Sequence, residues 1–278
     1  MRIDSHHHLW QYSVQEYDWI DENMSELKQN FLLPELEQQL NTAAIDGSIV
    51  VQARQSKEET IWLCELSQNN NNIKGVVGWL DLTSDTLEQD LESLKKYPKL
   101  KGFRHVLQGE TIEFMAQTSF IDGLRTLAKN GYKYDLLVYA DQLPAAIEMI
   151  SKVPELEVVI DHIAKPNIKT GEKFDAWYNA MAKLAQNPKV YCKISGMVTE
   201  AHWQNWKEED FLPYLSAVHK LFGASRLMFG SDWPVCLVSA SYQDVITIVE
   251  SYFNTLDISE NKNVWGQTAI NFYQLKSI

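Results

Sequence analysis

A short β-branched run, a polar loop and a longer stretch with helical spacing recur in that order eight times along this chain. Each unit predicts a strand followed by a helix, because apolar residues repeat every two positions in strands and every 3.6 in helices. The predicted strands are Arg2–His6, Gly47–Ala53, Lys74–Leu80, Leu100–Val106, Lys133–Tyr139, Leu156–His162, Val190–Ser195 and Arg226–Gly230. Strands that alternate with helices pair in parallel, and eight of them in 278 residues favour a closed (β/α)8 barrel.

The helical stretches complete this pattern. They are predicted at Glu35–Thr42, Glu58–Gln68, Thr86–Lys95, Phe120–Lys129, Leu143–Ser151, Ala176–Ala185, Phe211–Phe222 and Tyr242–Thr255, and Lys262–Gln274 adds a C-terminal helix. The first strand lacks the G-x-G-x-x-G turn of an open dinucleotide-binding sheet. Barrels of this class run to about 250 residues as one domain. Residues 1–278 are therefore predicted to form a single α/β domain.

Polar side chains collect at the ends of the predicted strands. In a parallel barrel these ends ring one opening, where catalytic groups lie. The sequence places at or next to them His6, His8, Trp10, Gln52, Arg54, Trp79, Arg104, His105, Tyr139, His162, Lys165, Lys193, Asp232 and Trp233. Closure of the barrel brings these scattered residues to one rim, which predicts an active site there.

Side-chain alternation selects two of the three consecutive histidines that end the first strand. His6 and His8 share one face of a strand and His7 points to the other. Two imidazoles about 6 to 7 Å apart along a strand can converge on one ion or one carbonyl oxygen. Taken singly, His6 and His8 are equally consistent with two unrelated surface histidines. His162 alone is consistent with a core histidine, and Asp232 alone with a turn or helix cap. Their joint position at strand ends favours a functional site.

Five segments carry a resemblance to a known family. They are Asp4–Trp10, Lys101–His105, Asp161–Pro166, Lys193–Gly196 and Phe229–Pro234. In order and spacing they resemble the lactonase-rich branch of the amidohydrolase superfamily, and the resemblance covers essentially the whole chain. It implies a (β/α)8 barrel that hydrolyses a lactone ring, with His6, His8, His162 and Asp232 matching the family's site positions.

The resemblance also bears on the cofactor. Superfamily members with two metal ions carry a bridging carboxylated Lys or a Glu on a middle strand, whereas this chain has Arg104 and Tyr139 on its middle strands. A binuclear centre is therefore not expected. A single divalent ion, with zinc as the first candidate, would be held by His6, His8, His162 and Asp232. Some members of the branch work without metal, and the sequence favours a site that is metal-free or binds its ion weakly.

The chemistry of lactone hydrolysis assigns roles to these residues. Asp232 is the candidate base for water, and the histidine cluster, or its metal, polarises the carbonyl group. The leaving alkoxide needs an acid, and His105 or Lys193 is the candidate. Arg54, Arg104 and Lys165 are candidates for binding substrate hydroxyls or a carboxylate, with solvated ion pairs as the alternative.

Gln52 and Tyr139 are further candidate substrate contacts, and together with Arg54 and Asp81 they offer mixed donors and acceptors rather than a basic pocket. This mixture favours sugar lactones such as L-fuconolactone or L-rhamnonolactone over a dicarboxylate. Trp10, Trp79 and Trp233 lie beside the proposed site residues and are candidate apolar walls against a sugar ring, with core packing as the alternative.

Two rival functions fit parts of the pattern. Metal-dependent decarboxylases of aromatic or unsaturated acids occupy a related branch with a similar strand-one pair and strand-eight Asp, but the segments Lys101–His105 and Asp161–Pro166 weigh against them. The second rival is a non-catalytic barrel that binds a carbohydrate. The retained His6, His8, His162 and Asp232 set argues against it.

Charge and composition limit the classes of molecule that this chain is expected to bind. The net charge is −12 and the isoelectric point near 5.0, which disfavours nucleic acid and anionic membranes because both need a basic surface. Three cysteines without C-x-x-C spacing indicate neither a disulfide framework nor a thiolate zinc site. With no apolar leader and no uncharged apolar run of membrane length, a cytoplasmic enzyme with a small-molecule substrate is expected, and no oligomeric state is indicated.

Overall fold

Eight parallel strands form a barrel. The computed structural model describes residues 1–276, so the last two positions of the predicted domain lie outside the described residues. The strands are β1 (Ile3–His7), β2 (Gly47–Val51), β3 (Ile73–Gly78), β4 (Leu100–His105), β5 (Lys133–Leu136), β6 (Val158–Ile160), β7 (Val190–Ile194) and β8 (Leu227–Phe229). Each pairs with the next along the chain, and a parallel bridge between His7 and Trp233 brings β8 back against β1. The predicted (β/α)8 fold is confirmed.

Helices surround this barrel, one after each strand. They are α1 (Leu33–Thr42), α2 (Lys57–Gln68), α3 (Leu87–Leu94), α4 (Thr118–Lys129), α5 (Leu143–Ser151), α6 (Phe174–Ala185), α7 (Glu208–Phe222) and α8 (Tyr242–Phe253), followed by the short α9 (Ile258–Lys262) and α10 (Thr268–Phe272). Within residues 1–276, no helix is long and apolar enough to cross a membrane.

Local sequence explains where these elements begin. Every residue of β2 is buried, as in a parallel strand that is covered on both faces. Helix α2 begins after Ser56, whose hydroxyl accepts a hydrogen bond from the Glu59 backbone N–H. Helix α8 begins with a capping box, in which Ser241 and Asp244 each accept the other's backbone N–H.

The paired parts of β5 and β6 are shorter than predicted. The predicted strands reach Tyr139 and His162, whereas pairing ends at Leu136 and Ile160. At His162 the backbone turns into the left-handed region, with φ of 53°, and a strand cannot continue through that conformation. Tyr139 and His162 therefore lie in the loops that follow their strands.

The prediction of one continuous C-terminal helix, Lys262–Gln274, is wrong. A π-helical turn at Asn263–Gln267 separates α9 from α10. Gly266 lies in this turn, and a Cβ atom there would approach the Met1 carbonyl oxygen to 2.2 Å. The backbone at Gly266 is not helical, and the close approach of the N-terminal backbone leaves no room for a side chain there.

Apolar side chains form two cores. The larger one fills the space between the strands and the surrounding helices. The second is formed by the strand residues of opposite alternation and by the C-terminal segment, and it contains Ile3, Ile49, Val51, Val77, Val159, Met228, Phe272 and Tyr273. Because α10 joins this second cluster, the C-terminal segment packs against one end of the barrel and leaves the other end for the site.

Candidate active site

The end of β1 presents two histidines to the barrel opening. The Nε2 atoms of His6 and His8 lie 3.3 Å apart, while Nε2 of His7 points away to the Ser48 hydroxyl at 3.0 Å. The His8 Nδ1 atom lies 2.8 Å from the Val51 carbonyl oxygen. A carbonyl only accepts, so Nδ1 of His8 carries the proton and its Nε2 offers a lone pair to the site.

His162 is brought to the same place by the loop after β6. Its ring centroid lies 4.5 Å from that of His6, and its Nδ1 atom lies 2.9 Å from the Ser195 hydroxyl. Burial lowers the pKa of His162 well below its usual range, and burial together with the charge of Lys193 does the same to the pKa of His6. Both rings are therefore neutral near pH 7, and because the Lys193 ammonium group can only donate to Nδ1 of His6, at 3.0 Å, the proton of the His6 ring lies on Nε2.

Asp232 completes this cluster from the loop after β8. Its Oδ1 atom lies 3.4 Å from Nε2 of His8 and 3.8 Å from Nε2 of both His6 and His162. The backbone N–H of Asp232 donates to the His6 carbonyl oxygen at 2.8 Å and fixes the loop against β1. Burial opposes ionisation, but contacts with His162 and His8 outweigh it and hold the pKa of Asp232 below its ordinary value. The carboxylate form is therefore the one present near neutral pH.

Two of the four donor separations fit the binding of one metal ion. Two atoms bound to zinc at its usual distance of 2.0–2.1 Å with a tetrahedral angle lie about 3.4 Å apart. The separations His6–His8 and His8–Asp232, at 3.3 and 3.4 Å, match this value, whereas Asp232 lies 3.8 Å from both His6 and His162. His6, His8 and Asp232 form one candidate ligand group in the described chain, and His6 and His162 form another with Asp161. Imidazole and carboxylate donors suit zinc.

A buried charge network lies beneath His6. The Lys193 ammonium group is 3.0 Å from Nδ1 of His6 and 3.0 Å from Oδ1 of Asp161, and it also pairs with Asp135. Asp161 also forms an ion pair with Arg104, whose Nη1 atom lies 3.2 Å from Oδ2 of Asp161. Burial raises the pKa of Asp161, but Lys193 and Arg104 outweigh it, and the net shift is downward. This network fixes the back of the His6 ring.

The network includes two acids that were not among the predicted site residues. Asp135 lies inside β5 and Asp161 directly after β6, and both are fully buried. A charged residue in the middle of a short buried strand is the signal that would have identified Asp135, because such a group needs a charged partner.

A cavity of about 910 Å³ opens above the cluster, and we call it the mouth cavity. The predicted site residues that line it are His8, Arg54, Arg104, Tyr139, His162, Lys165 and Asp232. Residues that the sequence did not indicate contribute as well, among them Glu16, Asp18, Trp19, Glu200 and Trp203. They lie in loops after β1 and β7, where no periodicity reports which side chains turn inwards.

Several predicted residues lie outside this lining, in the part of the chain that the structure describes. Trp10 is buried among aromatic rings and donates to the Gln29 carbonyl oxygen at 2.9 Å. The others are Trp233, which packs on Phe31, Gln52, which donates to the Arg104 carbonyl oxygen, and Trp79, which donates to His105. His6, Lys193 and His105 do not line the cavity either.

Known proteins similar to this chain agree with the architecture. Residues 3–275 match the amidohydrolase family. L-fucono-1,5-lactonases from Burkholderia multivorans and Burkholderia ambifaria are 38% and 33% identical, and each comparison covers 99% of this chain and 96% of the relative. A crystal structure of a B. multivorans amidohydrolase with bound zinc is 38% identical, with a TM-score of 0.95 over 99% of this chain and 100% of that one. The chain is therefore a member of the amidohydrolase family, as its five motif segments predict.

Proposed function

We propose that this protein opens the lactone ring of a sugar acid of the L-fuconolactone or L-rhamnonolactone kind, with Asp232 as the base that activates water. The observation that supports this proposal is the position of the Asp232 carboxylate, which lines the mouth cavity and lies within 3.8 Å of three imidazoles. The broader reaction class, a hydrolase acting on a lactone ester bond, is confirmed by the two L-fucono-1,5-lactonase relatives.

The two carboxylate oxygens of Asp232 are suited to different tasks. Oδ1 faces the imidazoles of His6, His8 and His162, which leaves Oδ2 to accept the proton of a water molecule in the cavity. A base that is ionised at neutral pH needs no prior loss of a proton. The hydroxide so formed attacks the carbonyl carbon, and the ring C–O bond then breaks to give the open hydroxy acid.

One divalent ion is included in this proposal, with zinc as the first candidate. The residues that would hold it are His6, His8, His162 and Asp232. When bound, the ion would supply a Lewis acid at the carbonyl oxygen, where negative charge develops. The sequence favours a metal-free or weakly binding site, whereas the 3.3 and 3.4 Å donor separations support binding.

The charges of the mouth cavity support a neutral substrate. Each cation that lines it, in the described part of the chain, is paired with a carboxylate: Arg54 with Glu16 at 2.6 Å, Arg104 with Asp161 at 3.2 Å, and Lys165 with Glu200 at 3.3 Å. A dicarboxylate would have to compete with these partners. A polyhydroxylated lactone can instead use the donors and acceptors of both members of each pair.

A pH-indicator assay on a panel of aldonolactones tests this proposal. Metal is removed by a chelator, and activity is measured before and after zinc is added back. We expect acid release above the spontaneous rate with six-carbon aldonolactones, loss of that activity on chelation, and recovery with zinc. Absence of turnover across the panel in zinc-loaded protein contradicts the proposed reaction. Full activity after exhaustive chelation contradicts only the metal assignment.

A further inference from the structure

The loop after β6 contains a left-handed turn built from residues other than glycine. His162, Ile163, Ala164 and Lys165 have φ of 53°, 47°, 59° and 48°. Side chains rarely adopt this conformation, because it brings Cβ too close to the following carbonyl oxygen. Strain of this kind persists where the surroundings impose it, and it concentrates at active sites.

Buried contacts hold this turn in place. Ile163 and Ala164 are completely buried, and the indole N–H of Trp177 donates to the Ile163 carbonyl oxygen at 2.8 Å. The backbone N–H of Lys165 donates back to the His162 carbonyl oxygen at 2.8 Å. Residues three apart in one helical turn lie on the same side of it, so the turn presents His162 and Lys165 together.

Both side chains line the mouth cavity with Asp232. The Lys165 ammonium group is 3.3 Å from Oε1 of Glu200 and 5.4 Å from the centre of the Tyr139 ring. The ammonium group is therefore fixed at the cavity wall by an acid that also lines it.

When a lactone ring opens, the departing ring oxygen needs a proton, so the site must contain an acid that supplies it. The two sequence candidates lie away from the cavity: Nε2 of His105 is 2.9 Å from Glu110 and its Nδ1 accepts from Trp79, while Lys193 is fully buried beneath His6. Guanidinium groups do not release protons in proteins, which removes the arginines. Of the described side chains that line the cavity, Lys165 is the cation able to give a proton.

We infer that Lys165 is the acid that protonates the departing ring oxygen, an inference that rests on the proposed lactone hydrolysis. Asp232 takes a proton from water, and the hydroxide oxygen forms a bond to the carbonyl carbon. The ring C–O bond then breaks, its electron pair stays on the oxygen, and that oxygen takes a proton from Nζ of Lys165. Asp232 loses its proton to solvent and Lys165 regains one from solvent. The transfer runs downhill, because an alcohol is nearly as weak an acid as water and an ammonium ion is a much stronger one.

A change of leaving group tests this role. A thiolate leaves without protonation because thiols ionise near pH 8.5. Lys165→Met is compared with the zinc-loaded wild type on an aldonolactone and on its ring-sulfur analogue, with Lys169→Ala, an exposed neighbour, as the control variant. We expect Lys165→Met to lose at least about a hundredfold in kcat on the lactone, within the usual range for general acids, and less than about fivefold on the thiolactone. Lys169→Ala should match the wild type on both.

A second variant separates chemistry from folding. In Lys165→Ala, ethylammonium ions should restore part of the lactone rate, after subtraction of the uncatalysed reaction, and leave the thiolactone rate unchanged. Equal losses on the two substrates, or a lactone rate that no amine restores, overturns the role of Lys165 and leaves the proposed function intact. A wild-type protein inactive on both substrates overturns the proposed function and this inference with it.

Discussion

Backbone conformation at single residues sets the geometry of the site. His162, Gly196 and Asp232 have φ of 53°, 58° and 58°, in the left-handed region that side chains seldom adopt. Gly196 follows Ser195, the hydrogen-bond partner of His162, and its missing side chain leaves room for the imidazole. A Cβ atom at Gly196 would lie 2.4 Å from Nδ1 of His162.

Replacement of Gly196 by Ala should therefore reduce activity more than stability. The added methyl group displaces the His162 ring, and an ångström of displacement in an active site can cost about a hundredfold. The left-handed backbone adds about 1–2 kcal/mol of destabilisation. We expect kcat/KM for the aldonolactone to fall by about a hundredfold, measured beside a urea unfolding curve.

Gly131 provides a matched control for this substitution. Its φ is 78°, and a Cβ atom there would meet nothing within 4 Å. Gly131→Ala should lose the stability that a left-handed backbone costs a residue with a side chain, and it should keep its activity. If Gly196→Ala also keeps wild-type activity, the orientation of His162 is not what Gly196 protects.

The sequence predicts site residues where side chains alternate along a strand, and it does not predict them in loops, where this alternation is absent. His6 lies in β1 and His8 directly after it, and both side chains keep the alternation of the strand. Trp10 lies beyond that strand, where side-chain direction depends on local φ and ψ, and it points into the aromatic core. Glu200 and Trp203 come from a loop whose inward side chains carry no periodic signal.

At the scale of elements, strand and helix existence was predictable and their ends were not. Every residue of β2 is buried, and so is every residue of β3 except Lys74, so composition identifies both strands. The end of β6 depends on the left-handed turn, which tertiary contacts such as that of Trp177 impose. The interruption before α10 lies at Gly266, which approaches the distant Met1 backbone.

One buried acid holds the loop between β2 and α2. Glu59 accepts the backbone N–H groups of Ala53 and Arg54, each at 3.0 Å, and the Tyr17 hydroxyl donates to it at 3.2 Å. This loop carries Arg54 to the mouth cavity. Burial raises the pKa of Glu59 from 4.5 to about 7, which the hydrogen bonds to its carboxylate only partly offset.

This shift makes stability depend on pH. The folded protein holds the Glu59 proton more tightly than the unfolded chain does, so the group's contribution to stability is complete below pH 4.5 and is lost as the pH rises through 7. The loss is on the order of 3 kcal/mol. Glu59→Gln removes the titrating group, so the difference in unfolding free energy between variant and wild type should move by that amount over this interval.

Urea unfolding between pH 4.5 and 8 measures the difference. Glu58→Gln is the control, because this exposed neighbour has a pKa below its ordinary value and titrates below the interval. Its curve should run parallel to that of the wild type. A parallel curve for Glu59→Gln as well would show that Glu59 is ionised in the folded protein throughout.

At the scale of the whole molecule, the barrel separates a structural end from a functional end. The Tyr273 hydroxyl, from the C-terminal segment, donates to Asp135 at 2.8 Å, and Asp135 pairs with Lys193 beneath His6. A continuous set of buried contacts thus runs from the C-terminal segment to the floor of the site. The repeated strand and helix pattern predicts the barrel, but it does not report this connection, which joins residues far apart in sequence.

Replacement of Asp232 by Asn tests the proposed reaction most directly. The amide keeps the size of the side chain and cannot take the proton of water. The measurement is the initial rate of aldonolactone hydrolysis by zinc-loaded wild type and variant, with Asp122→Asn on the exposed surface of α4 as the control. We expect Asp232→Asn to stay folded and to lose about a thousandfold in kcat, within the range for a general base, while Asp122→Asn keeps its rate. Near-normal turnover by folded Asp232→Asn would contradict the role of Asp232 as the base.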